Sequence, residues 1–363
     1  MKKLNTALIG CGRIGFLLEN DPLRYKPCTH YGGAKSAGIK INYACDINIE
    51  RLKRFQKIAL IPKENIFIDY KKLIKTIQPE VVIISTWTQS HDEISIMASN
   101  NGAKVIVLEK PIASSLKKSM RILDECKKNR THLIINHERR YDNRYRKVKK
   151  IIQSDKIGKI KTVRASMLTG KYYGKSNIDE GGGPLLHDGT HIIDIIRYFF
   201  GDISVVQGEF QRDERKKGFE DRAVAWLKTK GGIDIFLETG GSRKYFVFEL
   251  AISGTEGEIV IGNGYEKLFL KNKSKYYKGF MDLEEVNFPS YSRNKYFHDI
   301  YREVKGLLSG KKTDITSTGM DGYKALEVIH AAYLSSYKKR KPLKLPVKPE
   351  SINLKKIFDI KKT

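Results

Sequence analysis

The segment Gly10-Cys11-Gly12-Arg13-Ile14-Gly15 follows the apolar run Leu4 to Ile9 and opens a helical stretch. No other feature narrows the possible folds of this chain as much. Three glycines spaced GxGxxG between a strand and a helix make a turn that few architectures need. Gly10 permits the tight turn, Gly12 lets the backbone approach a pyrophosphate, and Gly15 lets the helix pack close to the strand. The free N–H groups and positive dipole end of that helix complete an anion cradle.

The context agrees with a dinucleotide fold. Short apolar runs at Leu4 to Ile9, Ile39 to Cys45, Glu80 to Thr86, Lys104 to Leu108 and His132 to Asn136 alternate with helical periodicity, as at Ile94 to Asn100 and Leu116 to Lys128. Strands alternating with helices predict an α/β, doubly wound parallel sheet over residues 1–136. The second long run ends at Asp46, where an acid can accept hydrogen bonds from the adenosine ribose and would repel a 2′-phosphate. NAD is therefore expected rather than NADP. Asp46 lies beyond the usual spacing of about 20 residues from the glycines. An inserted loop over Asp21 to Tyr31 accounts for the excess.

After Arg140 the pattern changes. A helix is expected over Tyr145 to Gln153, then strands over Ile160 to Leu168, Ile203 to Phe210, Ala223 to Lys228, Ile233 to Glu238, Phe246 to Ile252 and Glu258 to Ile261. One apolar helix, Pro184 to Phe200, interrupts them, and helices near Lys295 to Leu308 and Met320 to Tyr337 close the region. This predicts an α+β domain with a mostly antiparallel open sheet over 137–345, followed by a C-terminal extension, 346–363.

Three further segments carry a family resemblance. Ser85-Thr86-Trp87-Thr88-Gln89-Ser90-His91 ends the fourth strand, Glu109-Lys110-Pro111 follows the fifth, and a glycine-rich entry at Gly181 leads into a helix containing His187, Asp188 and His191. Together with GxGxxG they resemble the glucose–fructose oxidoreductase, inositol dehydrogenase and MocA (Gfo/Idh/MocA) family over nearly the whole chain. The resemblance implies NAD-dependent oxidation or reduction of a sugar or polyol. It implies cofactor contacts from Gly10, Gly12, Arg13, Ile14, Gly15, Asp46, Thr86, Trp87, His91, Glu109 and Lys110. It assigns His191 as the base and Lys110 as the group that orients and polarises the reacting hydroxyl. Trp87 stands where the family usually has Pro, and His187 where many members have Asp. His187 and Asp188 thus remain alternatives for the third catalytic position.

Hydride chemistry on an alcohol needs a base, a donor that holds the oxygen, and a carbon held near the nicotinamide. Lys110 sits at the carboxyl end of a parallel strand, where doubly wound folds bind ligands. His187 and His191 share a helix face at i, i+4. That spacing also suits a metal, but the chain lacks matching Cys or Glu ligands, and no metal is expected. Arg139, Arg140 and Tyr141, past the sixth strand, and Tyr172, before the glycine-rich entry, are candidates for substrate contact. A catalytically silent NAD-binding sensor or scaffold is the rival reading, which the pairing of Lys110 with His191 argues against.

Across its 363 residues the chain carries a net charge of +27. Its basic residues are dispersed and interleaved with acids, the pattern of a solvated surface. An anionic substrate such as a nucleotide-linked sugar is the second reading of the charge, and neither nucleic acid nor membrane is expected as a partner. Four cysteines without a CxxC pair read as reduced thiols, and with no signal-peptide pattern the default location is the cytoplasm. The second domain has too few helices to cover both faces of its sheet, which predicts a homodimer or homotetramer.

Overall fold

The computed structural model describes residues 4–169, 182–212, 218–310 and 312–358. In chain order, β1 (Thr6–Ile9) leads to α1 (His30–Ser36), β2 (Tyr43–Cys45), α2 (Ile49–Ala59), β3 (Ile66–Phe67), α3 (Tyr70–Ile77) and β4 (Val81–Ile84). There follow α4 (His91–Asn100), β5 (Val105–Leu108), α5 (Leu116–Lys128), β6 (His132–Ile135), α6 (Asn143–Gln153) and β7 (Ile160–Leu168). Two helices, α7 (Pro184–His187) and α8 (Gly189–Phe200), precede β8 (Ile203–Gln211), β9 (Arg222–Thr229), β10 (Asp234–Gly240), β11 (Val247–Gly254) and β12 (Gly257–Ile261). The described chain ends with β13 (Glu266–Lys273), β14 (Met281–Val286), α9 (Tyr296–Leu308), α10 (Gly319–Tyr337), β15 (Leu343–Lys344) and α11 (Leu354–Ile357). No helix among the described residues is long and apolar enough to cross a membrane.

The chain divides into two compact units. The first comprises the described residues of Met1–Asp142 and Arg293–Tyr323. Among them, six parallel strands run in the order β3-β2-β1-β4-β5-β6. Every residue of β1, β4 and β5 is buried, because helices cover both faces of such a sheet. Thr29, Asn48, Asp69 and Ser115 cap α1, α2, α3 and α5 by accepting first-turn N–H groups on their side-chain oxygens. The sequence reading assigned Arg293–Tyr323 to the second domain. In the structure Phe297, Ile300, Tyr301 and Val304 of α9 join the core of the first unit with Ala34 of α1, so the apolar face of α9 is buried there.

The inserted loop interrupts the dinucleotide helix itself. A first turn forms after Gly12, with Phe16 N–H donating to the Gly12 carbonyl at 3.1 Å. The chain then departs and returns at His30, whose N–H donates to Ile14 O at 3.0 Å, while Tyr31 N–H donates to Gly15 O at 3.0 Å. The helical hydrogen-bond ladder is thus resumed across the insertion, which is why Asp46 lies so far along the sequence from the glycines.

The second unit comprises the described residues of Asn143–Ser292 and Lys324–Thr363. Among them, nine strands form a sheet in the order β14-β13-β12-β11-β7-β10-β9-β8-β15, antiparallel except for β7 with β10. Burial alternates strictly along β9, with Ala223, Ala225, Leu227 and Thr229 inside. Strands β13 and β14 escaped the sequence reading because charged residues occupy both of their faces (EKLFLKNK and MDLEEV). Tyr172 lies outside the described residues, as does Gly181.

Candidate active site

The first unit gathers the glycine turn, the ends of β2, β4, β5 and β6, and α1 on one sheet edge. Gly10 has φ +97°, and a Cβ there would lie 2.6 Å from the Ser85 carbonyl group. A Cβ on Gly15 would come within 2.4 Å of Gly10 O. Gly12 differs: its only neighbour within 4 Å would be an Arg51 nitrogen at 3.8 Å. Gly10 and Gly15 are therefore glycine for packing, whereas the space beside Gly12 stays open, as close approach of a pyrophosphate requires. Arg13 is exposed and Ile14 half-buried. Asp46 is 8 % exposed, and its carboxylate accepts Cys11 N–H and Asn48 N–H, both at 2.7 Å. The acid expected to meet the ribose therefore also holds the glycine turn against β2.

At the end of β4, Trp87 is 52 % exposed and Thr86 half-buried. His91 is fully buried, its Nδ1 3.0 Å from Pro111 O and its Nε2 3.1 Å from Thr86 O. Burial holds its imidazole below the ordinary range and so in the neutral form. As placed, His91 braces the loop after β4 against the loop after β5.

After β5, the Lys110–Pro111 bond is cis. Lys110 is half-buried, and the Glu109 carboxylate beside it is 6 % exposed. That carboxylate accepts from Asn136 Nδ2 and lies 2.9 Å from His30 Nε2. His30 Nδ1 in turn lies 2.7 Å from the Tyr301 hydroxyl. Burial pushes the Glu109 carboxyl up, but His30, Lys110 and Asn136 together outweigh it and hold the group below the usual range. The backbone that presents Lys110 is thereby anchored to α1, β6 and α9. Sequence reasoning did not find His30 or Tyr301, because only the interrupted helix and the return of α9 bring them here.

Of the substrate candidates after β6, two turn inward. Arg140, 5 % exposed, makes an ion pair with Asp321 at 3.0 Å and donates to Thr316 O. Tyr141, 1 % exposed, donates to Glu303 at 2.9 Å. Both tie the 293–323 stretch into the first unit, and these contacts account for the two side chains without a ligand. Arg139 pairs with Glu138 at 2.6 Å and keeps a partly exposed guanidinium.

In the second unit, the expected single helix is two, α7 and α8, joined at Asp188. His191 N–H donates to Asp188 O at 3.1 Å, a tighter turn than the α-helix makes. His187 Nδ1 lies 2.8 Å from Asp188 Oδ1, so the two alternatives for the third catalytic position pair with each other. His191 is half-buried, one turn from the buried Asp194.

Comparison with known proteins places the chain in a family. The family model described as oxidoreductase family, NAD-binding Rossmann fold, matches residues 4–137, and the GFO/IDH/MocA C-terminal domain matches 145–260. The myo-inositol 2-dehydrogenase of Thermotoga maritima is 25 % identical over 344 residues, 93 % of this chain and 97 % of that protein. The D-apiose dehydrogenase of Rhizobium rhizogenes is 26 % identical over 353 residues, 93 % of this chain and 96 % of its own. Among solved structures, the WlbA dehydrogenase from Bordetella pertussis in complex with NADH and UDP-GlcNAcA superposes with a TM-score of 0.77 at 18 % identity, covering 95 % of this chain and 99 % of that one. Levoglucosan dehydrogenase in complex with NADH and L-sorbose gives 0.74 at 19 % identity, covering 96 % and 100 %. At such identities the structural likenesses show the fold alone, but the two family models in succession show more: this chain belongs to the Gfo/Idh/MocA family of NAD-binding oxidoreductases.

Proposed function

We propose that the protein moves hydride between NAD and a hydroxyl-bearing carbon of a sugar, polyol or nucleotide-linked sugar. The observation that carries this reading is Lys110, held beside a buried, fixed carboxylate on the same sheet edge as the open side of Gly12. NAD, when bound, supplies the hydride acceptor. In this reading Lys110 donates to the reacting oxygen and stabilises the charge it develops. His191 takes the hydroxyl proton in oxidation and returns it in reduction. The Asp188–His187 pair holds the helical turn that presents His191. Asp46 selects NAD by accepting from the ribose and excluding a 2′-phosphate.

The relatives named as inositol and apiose dehydrogenases, and the neighbours holding UDP-GlcNAcA and L-sorbose, support a polyhydroxylated substrate. The +27 net charge supports an anionic one. The test is a panel of inositols, free sugars, sugar acids and nucleotide-linked sugars scored by NADH absorbance. NAD binding without turnover on any of them would overturn the reading in favour of a silent binder.

The same reading takes the protein as a cytoplasmic homo-oligomer. Its four free cysteines are all buried, consistent with a reducing compartment. On the face of the nine-stranded sheet away from its buried side chains, Val224, Trp226 and Phe236 line a hollow of about 460 Å³, and Phe236 is 53 % exposed. A second copy covering that face would bury these groups. Light scattering at micromolar concentration should show at least a dimer, and a monomer would refute the assembly.

A further inference from the structure

Glu220 precedes β9 and is 3 % exposed. Its Oε1 accepts Leu185 N–H at 2.9 Å and the Tyr333 hydroxyl at 2.9 Å, while Oε2 is buried with no hydrogen-bond partner among the described residues. Leu185 lies in the first turn of α7, whose N-cap is Gly183. Glycine has no side chain to satisfy a first-turn N–H, and such a group buried without an acceptor is costly. Glu220 supplies the acceptor from another part of the fold. The fit is close: a Cβ on Gly183 would lie 2.1 Å from Glu220 Oε2. On the other side of the entry, a Cβ on Gly240, which has φ +73°, would meet Pro184 Cγ at 2.8 Å. The start of α7 is thus gripped between the Glu220 carboxyl and the end of β10.

Behind Glu220 stands an aromatic wedge. Tyr333 of α10 packs edge-on to Phe358, with ring centroids 4.9 Å apart, and Phe358 lies 4.5 Å from Phe219. The C-terminal extension thereby holds the tyrosine that holds Glu220.

We infer that Glu220 is a positioning residue for the α7–α8 helix pair, setting the orientation from which His187, Asp188 and His191 act. This rests on the proposed role of His191. Removing that acceptor leaves a buried first-turn N–H unsatisfied and frees the start of α7 to shift, and a base displaced by about 1 Å can lose on the order of 100-fold in rate. Burial pushes the carboxyl up to about 7, against the pull of Leu185 N–H and Tyr333. Near neutral pH a neutral, isosteric acceptor therefore serves almost as well.

The experiment compares Glu220→Gln, Glu220→Leu and Tyr333→Phe in the full chain. Amide hydrogen exchange over 184–191 is measured, along with kcat and KM on the best substrate and the Kd for NADH. The Leu185 amide of Glu220→Leu should exchange on the order of 10- to 100-fold faster, the cost of losing a hydrogen bond of this kind. Amides of β11 and β12 should be unchanged. Its kcat should fall by at least about tenfold, with Kd for NADH unaltered. Glu220→Gln should restore most of both, and Tyr333→Phe, the milder change if Glu220→Leu fails to fold, should shift them part-way. The inference is overturned if Leu185 exchange matches the native protein in all three, or if exchange rises equally across the second unit, as general loosening would cause. Absence of turnover in the native protein would refute the sugar reading, while the exchange measurement would still decide the role of Glu220.

Discussion

Replacing His30 by Phe tests the network beneath Lys110. Phenylalanine keeps the ring and its edge-on packing, at centroid distances of 5.7 Å to Phe297 and 6.1 Å to Tyr301. It removes both ring nitrogens. Glu109, buried and ionised, loses a partner at 2.9 Å, and a hydrogen bond to a charged group is worth about 1.5–3 kcal/mol. The Tyr301 hydroxyl, fully buried, loses its partner at 2.7 Å, at a further cost of about 1–3 kcal/mol. The sum is roughly 2.5–6 kcal/mol, because the Tyr301 hydroxyl is fully buried and Glu109, left with Asn136, is nearly so. Urea unfolding followed by circular dichroism measures it. The two units can unfold separately, so the transition that NADH shifts is the one to follow. The double variant His30→Phe/Glu109→Leu should recover part of the loss, since no carboxylate is then left buried with one partner removed. Turnover of His30→Phe should fall as well, because the loop presenting Lys110 loses an anchor. A cost below about 1 kcal/mol, or a double variant less stable than the single, would refute the reasoning.

Lys110→Ala should lower kcat on the order of 100- to 1,000-fold with little change in NAD affinity, and retention of more than about a tenth of turnover would sink its assignment. The Cys11 and Asn48 amides bond different oxygens of Asp46, so Asp46→Asn loses the charge and keeps an acceptor for only one of them; it should narrow the preference for NAD over NADP with a partial loss of stability, whereas Asp46→Ala should lower stability further. Titration with both cofactors beside thermal melts separates the two, and equal preferences in the native protein and Asp46→Asn would refute the role. His330 is 1 % exposed with neither ring nitrogen hydrogen-bonded among the described residues, and burial lowers it to about 3. The unfolded chain takes up this proton below about 6.5 while the native state refuses it, so stability is complete above that pH and lost on acidification toward 3. His330→Leu should remove up to about 1.4 kcal/mol per pH unit of that acid dependence, and unchanged slopes would contradict it.

What the sequence determined by itself is local in the chain. The glycine spacing, the apolar runs and their alternation with helical periods marked the parallel sheet, because strand and helix periods are short-range properties. They also put Lys110 at a strand end and His191 on an apolar helix. Tertiary structure decided how those residues are held. His30 meets Glu109 across 79 positions of sequence and Tyr301 across 271, joined only because the insertion hands the helix on to His30 and α9 folds back on the first unit. Arg140 and Tyr141 looked like ligand contacts on composition and place, yet half-buried carboxylates at Asp321 and Glu303 claimed them. Glu220 gave no signal in its neighbourhood, since a buried carboxyl acquires its meaning from the N–H it must satisfy. Periodicity reads from a few consecutive residues, but a buried polar group takes whatever partner the folded chain brings within hydrogen-bond reach, and no local pattern encodes that choice.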